Sequence, residues 1–146
     1  MKVGDMITKV RHLGVIVDDL DSSVELYKKL FDIEDKDVKI FPPPGSEAEK
    51  DTRFAFIPFG GMEFELIHPI SESFKKMLGN PPPGINHIAF TVTDIEKAVE
   101  LMKAKGVRLG HVTKDGILDM KRSKVAYFNP EDTGGILIEF VEPKED

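Results

Sequence analysis

The chain has 146 residues, of which 40% are hydrophobic and 32% charged, which is the composition of one globular domain and not of a disordered or fibrous chain. Twenty basic and twenty-six acidic residues give a formal net charge of −6 without a basic cluster, so neither nucleic acid nor a membrane surface is an expected partner. The sequence has no apolar run long enough for a transmembrane helix, no segment resembling a signal peptide and no cysteine, so we expect a cytoplasmic protein in which histidine and carboxylate side chains bind any metal.

The first half of the chain predicts a strand, a helix and then three strands. Apolar residues at 13–17 form a run typical of a short strand, and apolar positions recur at helical spacing after it. Ser22 and Glu25 have the spacing of a capping box, which places the helix start there. Three further apolar runs predict the later strands, at residues 38–41, 54–57 and 63–67. The proline-rich segment between the first two of these runs predicts a loop.

A connector and a second set of the same elements follow. Residues 71–79 predict a short helix, and the proline run that comes next is a stiff linker. A strand is predicted at 88–92, and Thr93 and Glu96 again have capping-box spacing. Gly106 is expected to end the second helix in a left-handed conformation. The remaining strands are predicted at 107–112, 125–128 and 136–141.

The two halves are an internal repeat. RHLGVIVDDLDSSVELYKKL at 11–30 matches NHIAFTVTDIEKAVELMKAK at 86–105 with an offset of 75, and Glu65 matches Glu139 with an offset of 74. Because a repeat decides architecture, the chain predicts an α+β fold of two βαβββ modules. We predict a single domain over residues 1–146, with module 1 at about 8–70, the connector at about 71–84 and module 2 at about 85–143.

Four ionisable residues occupy equivalent positions of the repeat. His12 and His87 lie at the first strand of each half, and Glu65 and Glu139 lie in the last strand among apolar residues. A buried, unpaired carboxylate costs several kcal/mol, so each glutamate needs a cation or a hydrogen-bonding partner. If the two sheets face each other, the four side chains converge. Imidazole and carboxylate suit Zn, Co, Ni, Mn or Fe(II), and the residue types do not choose among these ions.

Simpler interpretations apply to each residue alone. A single histidine is more often hydrogen-bonded structurally than bound to metal, and a single strand glutamate more often faces solvent. Glu63 illustrates the second case, because its repeat partner is Leu137. His68, which matches Glu142, and His111, which has no histidine partner, are interpreted as surface residues.

The chain resembles the vicinal-oxygen-chelate superfamily, which includes glyoxalase I, extradiol dioxygenases and methylmalonyl-CoA epimerase, from about residue 10 to 143. The resemblance is strongest to the epimerase branch, in segments HLGVIVDDLDSSVELYKKLF, FELIHPISES, GINHIAFTVTDIEKAVELMKAKGVRL and KVAYFNPEDTGGILIEFVEP. It implies a cupped, barrel-like mixed sheet with flanking helices. It also implies a homodimer and one divalent ion (Co, Zn, Ni, Mn or Mg) bound by His12, Glu65, His87 and Glu139.

The resemblance further implies a reaction. The expected activity is epimerisation of a 2-substituted acyl-CoA such as methylmalonyl-CoA, by proton abstraction α to the thioester with a metal-stabilised enolate. Glu139 is implied as one acid–base group, and Glu49, with Glu47 as substitute, is the match to the second. The segments PPPGSEAEKDTRFAF and VTKDGILDMKRSKVAYF depart from the family pattern where substrate is recognised.

Three other functions are open. Glyoxalase I, a lactoylglutathione lyase, has the same ligand set and moves a proton in a glutathione hemithioacetal. A non-catalytic small-molecule-binding member of the superfamily would hold no such metal. An extradiol dioxygenase would need Fe(II) and oxygen, and its set of two histidines and one glutamate leaves Glu65 surplus.

Overall fold

The structure, a computed structural model, describes residues 2–144 and contains three α-helices and eight strands. The helices are α1 (Leu20–Phe31), α2 (Glu72–Met77) and α3 (Ile95–Ala104). The strands are β1 (Ile7–Ile16), β2 (Lys39–Phe41), β3 (Thr52–Phe59), β4 (Met62–Pro69), β5 (Gly84–Val92), β6 (Leu118–Asp119), β7 (Ser123–Tyr127) and β8 (Ile138–Pro143). Within the described residues, none of the helices has the length and apolarity needed to span a bilayer.

The chain divides into two compact units, one comprising His12–Asn86 and the other the residues up to Arg11 together with those from His87 onward. In the unit His12–Asn86 the strand order is β2-β3-β4-β1, with β1 parallel to β4 and the other pairs antiparallel. Its core lies between this sheet and α1, where Val15, Leu20, Ile57 and Leu66 are buried together. Burial of these side chains holds α1 on one face of the sheet.

The other unit repeats this arrangement. Its strand order is β5-β8-β7-β6, with β5 parallel to β8 and the other pairs antiparallel. Ile95, Val99, Phe128 and Phe140 are buried between the sheet and α3. Gly106 follows α3 with a φ of +88°, as predicted for a left-handed helix end. The predicted α+β fold of two βαβββ modules is therefore confirmed.

One predicted strand is wrong. Residues 107–112 do not form a strand; Leu109 makes a single bridge to Phe128, and a 3-10 turn follows at His111–Thr113. The second strand of module 2 is instead β6, at Leu118–Asp119. The extended chain breaks because His111 has a φ of +53°, a left-handed conformation that no strand accommodates. The apolar alternation of the segment therefore reflects packing against the core and not sheet pairing.

The predicted N-cap residues of the two long helices, Ser22 and Thr93, are also wrong. Asp19 is the N-cap of α1, and its carboxylate accepts the backbone N–H of Ser22 at 2.9 Å. Asp94 caps α3 and accepts the N–H of Lys97 at 3.1 Å, so neither Ser22 nor Thr93 is the N-cap. The residue after each aspartate is apolar and completely buried. Packing of that residue in the core fixes the helix start, and aspartate is as good a cap as serine.

Each of these helices has a second cap from the last strand of its module. His68 Nδ1 accepts the N–H of Leu20 at 3.3 Å, and Glu142 Oε1 accepts the N–H of Ile95 at 2.7 Å. His68 and Glu142 match in the repeat, and both are half-buried. Both residues therefore join sheet to helix, and His68 is not the simple surface residue that we expected.

Candidate metal centre

His12 and Glu65 form a close pair in the unit His12–Asn86. Glu65 lies on β4 opposite Gly14 of β1, two residues after His12, and His12 Nε2 is 3.4 Å from Glu65 Oε1. Gly14 has no side chain on this face of the sheet. His12 is buried and Glu65 is half-buried.

Strand alternation decides which face carries this pair. Val15 and Leu66 pack in the core against α1. Because successive side chains of a strand point to opposite faces, His12 and Glu65 lie on the face away from α1. That face of β3 carries Phe56, which stands opposite Glu65 in the register.

His87 and Glu139 form the equivalent pair in the other unit. His87 Nε2 lies 3.3 Å from Glu139 Oε1, and their side chains are only 3% and 6% exposed. Glu139 stands opposite Ala89 of β5 and Tyr127 of β7. The Tyr127 ring meets the imidazole of His87 edge to face, with 5.4 Å between ring centroids. Ala89 matches Gly14 in the repeat, so both glutamates lie beside a small residue.

The geometry of each pair fits two ligands of one divalent ion. Donor atoms that each lie about 2.0–2.2 Å from an ion, at angles of about 90–110°, are about 3.0–3.5 Å apart. The separations of 3.4 Å and 3.3 Å between imidazole nitrogen and carboxylate oxygen fall in that range. Buried imidazole and carboxylate are ligands that Zn, Co, Ni and Mn accept. The residues present therefore fit a divalent metal ion.

The two predicted loop glutamates lie elsewhere. Glu47 is exposed and pairs with Lys50 at 3.2 Å. Glu49 accepts the backbone N–H of Gly45 at 3.1 Å, and its second oxygen is 3.6 Å from Arg53 Nε.

The position of Arg53 shows which side of the sheet Glu49 occupies. Arg53 alternates with Phe56 on β3 and binds Asp21 of α1 through two hydrogen bonds of 3.2 and 3.3 Å. Glu49 thus lies beside an arginine that is bound on the α1 side of the sheet. A catalytic role for Glu47 or Glu49 stays a prediction.

His111, which we expected on the surface, lies near the second pair. Its ring packs edge to face on Tyr127, with centroids 4.8 Å apart. Burial lowers the pKa of His111 because it disfavours the charged imidazolium; His87 lowers this pKa further, and Glu139 opposes the shift. No repeat pattern could have identified His111, because the first module has no histidine at the matching place.

Comparison with known proteins extends the similarity over most of the chain. The family model of the glyoxalase/bleomycin resistance protein/dioxygenase superfamily matches residues 11–127. Mitochondrial methylmalonyl-CoA epimerase of Dictyostelium discoideum is 28% identical over 97% of this chain and 85% of its own length. Ethylmalonyl-CoA/methylmalonyl-CoA epimerase of Cereibacter sphaeroides is 28% identical over 92% of this chain and 97% of its own length.

A solved structure gives the same result at the level of the fold. A variant of Streptomyces coelicolor methylmalonyl-CoA epimerase, in complex with 2-nitronate-propionyl-CoA, has a TM-score of 0.72 and is 26% identical to this chain. The match covers 95% of this chain and 99% of that chain. The similarity is therefore one of whole chains and not of an isolated motif.

Proposed function

Because the chain belongs to the glyoxalase/bleomycin resistance protein/dioxygenase superfamily, we propose that it is a metal-dependent epimerase of a 2-substituted acyl-CoA, with methylmalonyl-CoA as the substrate. The observation that carries the proposal is that a buried histidine lies beside a glutamate at equivalent places of the two modules. The relatives named above, which are similar over nearly their whole length, support this substrate class. We further propose that the protein works in the cytoplasm as a homodimer.

One divalent ion is proposed to be bound by His12, Glu65, His87 and Glu139. Two of these four ligands come from each module, so neither module alone would hold the ion fully. When bound, the ion supplies Lewis-acid stabilisation of negative charge on the thioester oxygen. Which of Co, Zn, Ni, Mn or Mg it is depends on availability as well as on the ligands.

The residues themselves would orient the substrate and move its proton. Glu139 is proposed to take the α-proton of one epimer, since it is a buried carboxylate beside the small residue Ala89. His87 holds that carboxylate from one side at 3.3 Å. Epimerisation also needs an acid–base group on the opposite face of the planar enolate, for which the resemblance predicts Glu49 or Glu47.

Assays on purified protein distinguish three candidate functions: epimerase, glyoxalase I and non-catalytic binding protein. The two activity assays use protein that has been loaded with metal. In D2O, methylmalonyl-CoA is expected to gain one deuterium at its α-carbon and to change configuration. A glyoxalase I would instead form S-lactoylglutathione from the hemithioacetal of methylglyoxal and glutathione. A binding protein without catalysis would do neither, and elemental analysis after purification without chelator would find no transition metal.

Removal of the metal is the matched control. Dialysis against EDTA should abolish the exchange, and addition of Co²⁺ should restore it. If the metal-loaded protein neither exchanges nor epimerises any 2-substituted malonyl-CoA, the proposed function is wrong.

A further inference from the structure

A cavity of about 390 Å³ opens where the ends of β1 and β4 meet the connector that follows α2. The residues that line it all belong to the unit His12–Asn86. Its apolar walls include Ile16, Val17, Pro81 and Pro83. Volumes of about 300–1,000 Å³ are usual for small-molecule sites. The cavity therefore has the size of such a site and is formed within one unit.

The internal repeat explains why this place is open. The offset of 75 matches Val92 with Val17 and, when it is continued toward the N-terminus, Met6 with Pro81. In the other unit Met6 is 3% exposed and packs in the apolar cluster that contains Val92. Its carbonyl accepts the backbone N–H of Thr93 at 3.0 Å. Pro81 has a shorter side chain and lines the cavity instead of filling it. The cavity is thus the counterpart of a slot that holds a methionine side chain.

The polar residues that line the cavity carry both charges. Lys75 is half-buried, and its ammonium group lies 3.6 Å from the carboxylate of Glu72, which is 91% exposed. Asp18 brings a carboxylate to the same cavity. The backbone N–H of Asn80 donates to the carbonyl of Lys75 at 2.8 Å, which holds the connector against α2. A ligand in this cavity therefore meets a cation, an anion and apolar walls.

His68 adds a hydrogen-bond donor to this lining. Its Nδ1 accepts the N–H of Leu20 at 3.3 Å, so the neutral imidazole carries its proton on Nε2. In the part of the chain that the structure describes, no residue accepts a hydrogen bond from this nitrogen. The ring therefore has one N–H available to a ligand.

We propose that this cavity binds a free apolar α-amino acid of about the size of methionine. The ammonium group of the ligand pairs with Asp18, and its carboxylate pairs with Lys75 and with the Nε2–H of His68. Charge complementarity favours this class, because a ligand without charges would cover both ionised groups and leave them unpaired. The size follows from the matching slot, which accepts the side chain of Met6.

This site is separate from the candidate metal centre. Neither His12 nor Glu65 lines the cavity. Amino-acid binding should therefore be the same in metal-loaded protein and in protein treated with EDTA.

Calorimetric titration of the full chain with L-methionine tests the proposal. The Kd should be about 1 mM or lower. Two analogues serve as matched controls: 4-(methylthio)butanoate lacks the amino group, and 3-(methylthio)propylamine lacks the carboxylate. Each should bind about tenfold more weakly or less well still, because each loses a charge-assisted hydrogen bond.

Variants and spectra locate the binding. Lys75→Met should weaken the binding of L-methionine about tenfold or more, whereas Lys76→Met, an exposed change at the next residue, should leave it unaltered. Pro81→Met introduces the side chain that fills the matching slot and should abolish binding, with a thermal unfolding curve to show that the variant is folded. In NMR spectra, L-methionine should shift the ring signals of His68 and not those of His111.

Several results would overturn the proposal. These are no binding of L-methionine at about 10 mM, equal affinity for either analogue, full affinity in Lys75→Met, a requirement for metal, or unmoved signals of His68. If Pro81→Met does not fold, Lys75→Met and the His68 signals decide. No readout depends on turnover of an acyl-CoA, so failure of this proposal is distinguishable from failure of the proposed function.

Discussion

At the scale of the residue, a close histidine, and not strand parity alone, separates a candidate ligand from an ordinary charge. Glu63 and Glu65 share one face of β4, and Glu63 stands opposite His12 in the register, yet it is the Glu65 carboxylate that lies 3.4 Å from the His12 imidazole. Its equivalent, Glu139, is 5% exposed and lies 3.3 Å from His87. A carboxylate so deeply buried is retained only with a proton, a hydrogen-bond donor or a cation at its oxygens. The internal repeat of this costly arrangement is the strongest residue-level argument for a shared function.

We expect Glu65→Ala and His87→Ala each to lose the metal while the protein stays folded. Removing a ligand should weaken metal affinity by more than the roughly 10–100-fold that loss of an outer hydrogen-bonding partner costs. Elemental analysis gives the metal content, and circular dichroism reports the fold. Glu63→Ala is the matched control and should keep its metal. Retention of stoichiometric metal and full activity by either ligand variant would contradict the assignment.

At the scale of the element, each long helix is tied to the end of its own sheet. In both α1 and α3, the aspartate directly before the helix caps its first turn. A side chain from the last strand of the same module accepts the first helical N–H. In module 1 the second cap is His68 and in module 2 it is Glu142. His68 and Glu142 each lie three residues after a proposed glutamate ligand on the same strand. The hydrogen bond from the helix start therefore fixes the position of the helix relative to the strand that carries this ligand.

Glu142→Ala is expected to lower the free energy of unfolding by about 1 kcal/mol, because the N–H of Ile95 loses its acceptor at a buried helix start. The melting temperature should fall by about 4 °C. Glu142→Gln keeps an acceptor oxygen and should lose less than half of this. Equal losses in the two variants, measured by urea and thermal unfolding, would argue against the cap.

At the scale of the whole molecule, the proposed ligands lie at four distant points of the chain. Residues 12 and 65 belong to one compact unit, and residues 87 and 139 to the other. Any ion that binds all four is a crosslink present only in the folded state. Metal binding should therefore raise the free energy of unfolding, and tighter binding should raise it more.

Addition of Co²⁺ or Zn²⁺ to metal-free protein should accordingly raise its melting temperature. At a free metal concentration one hundred times the Kd, the gain is about 2.7 kcal/mol. His87→Ala should lose the response, and Glu63→Ala should keep it. A melting temperature that is the same with EDTA and with metal would show that no ion crosslinks the folded chain. Differential scanning calorimetry at several metal concentrations measures the dependence.

Errors of the sequence interpretation fall where local pattern and tertiary packing disagree. The apolar alternation around Val107 is typical of a strand, but contacts of the following residues with β7 replace sheet pairing by a turn. Ser22 and Thr93 have capping spacing, yet burial of Leu20 and Ile95 sets the helix starts. In both cases contacts with residues remote in sequence override a short-range preference.

By itself the sequence determined the repeat, the βαβββ order and the equivalent positions of His12, Glu65, His87 and Glu139, because alternation along strands and the offset between halves are properties of the linear chain. Only the tertiary structure decided that Glu49 lies beside Arg53 and that His111 packs on Tyr127. Those placements depend on a loop docking against a strand that is remote in sequence, and the contacts that hold it there, such as the hydrogen bonds of Thr113, leave no periodic trace in the order of residues.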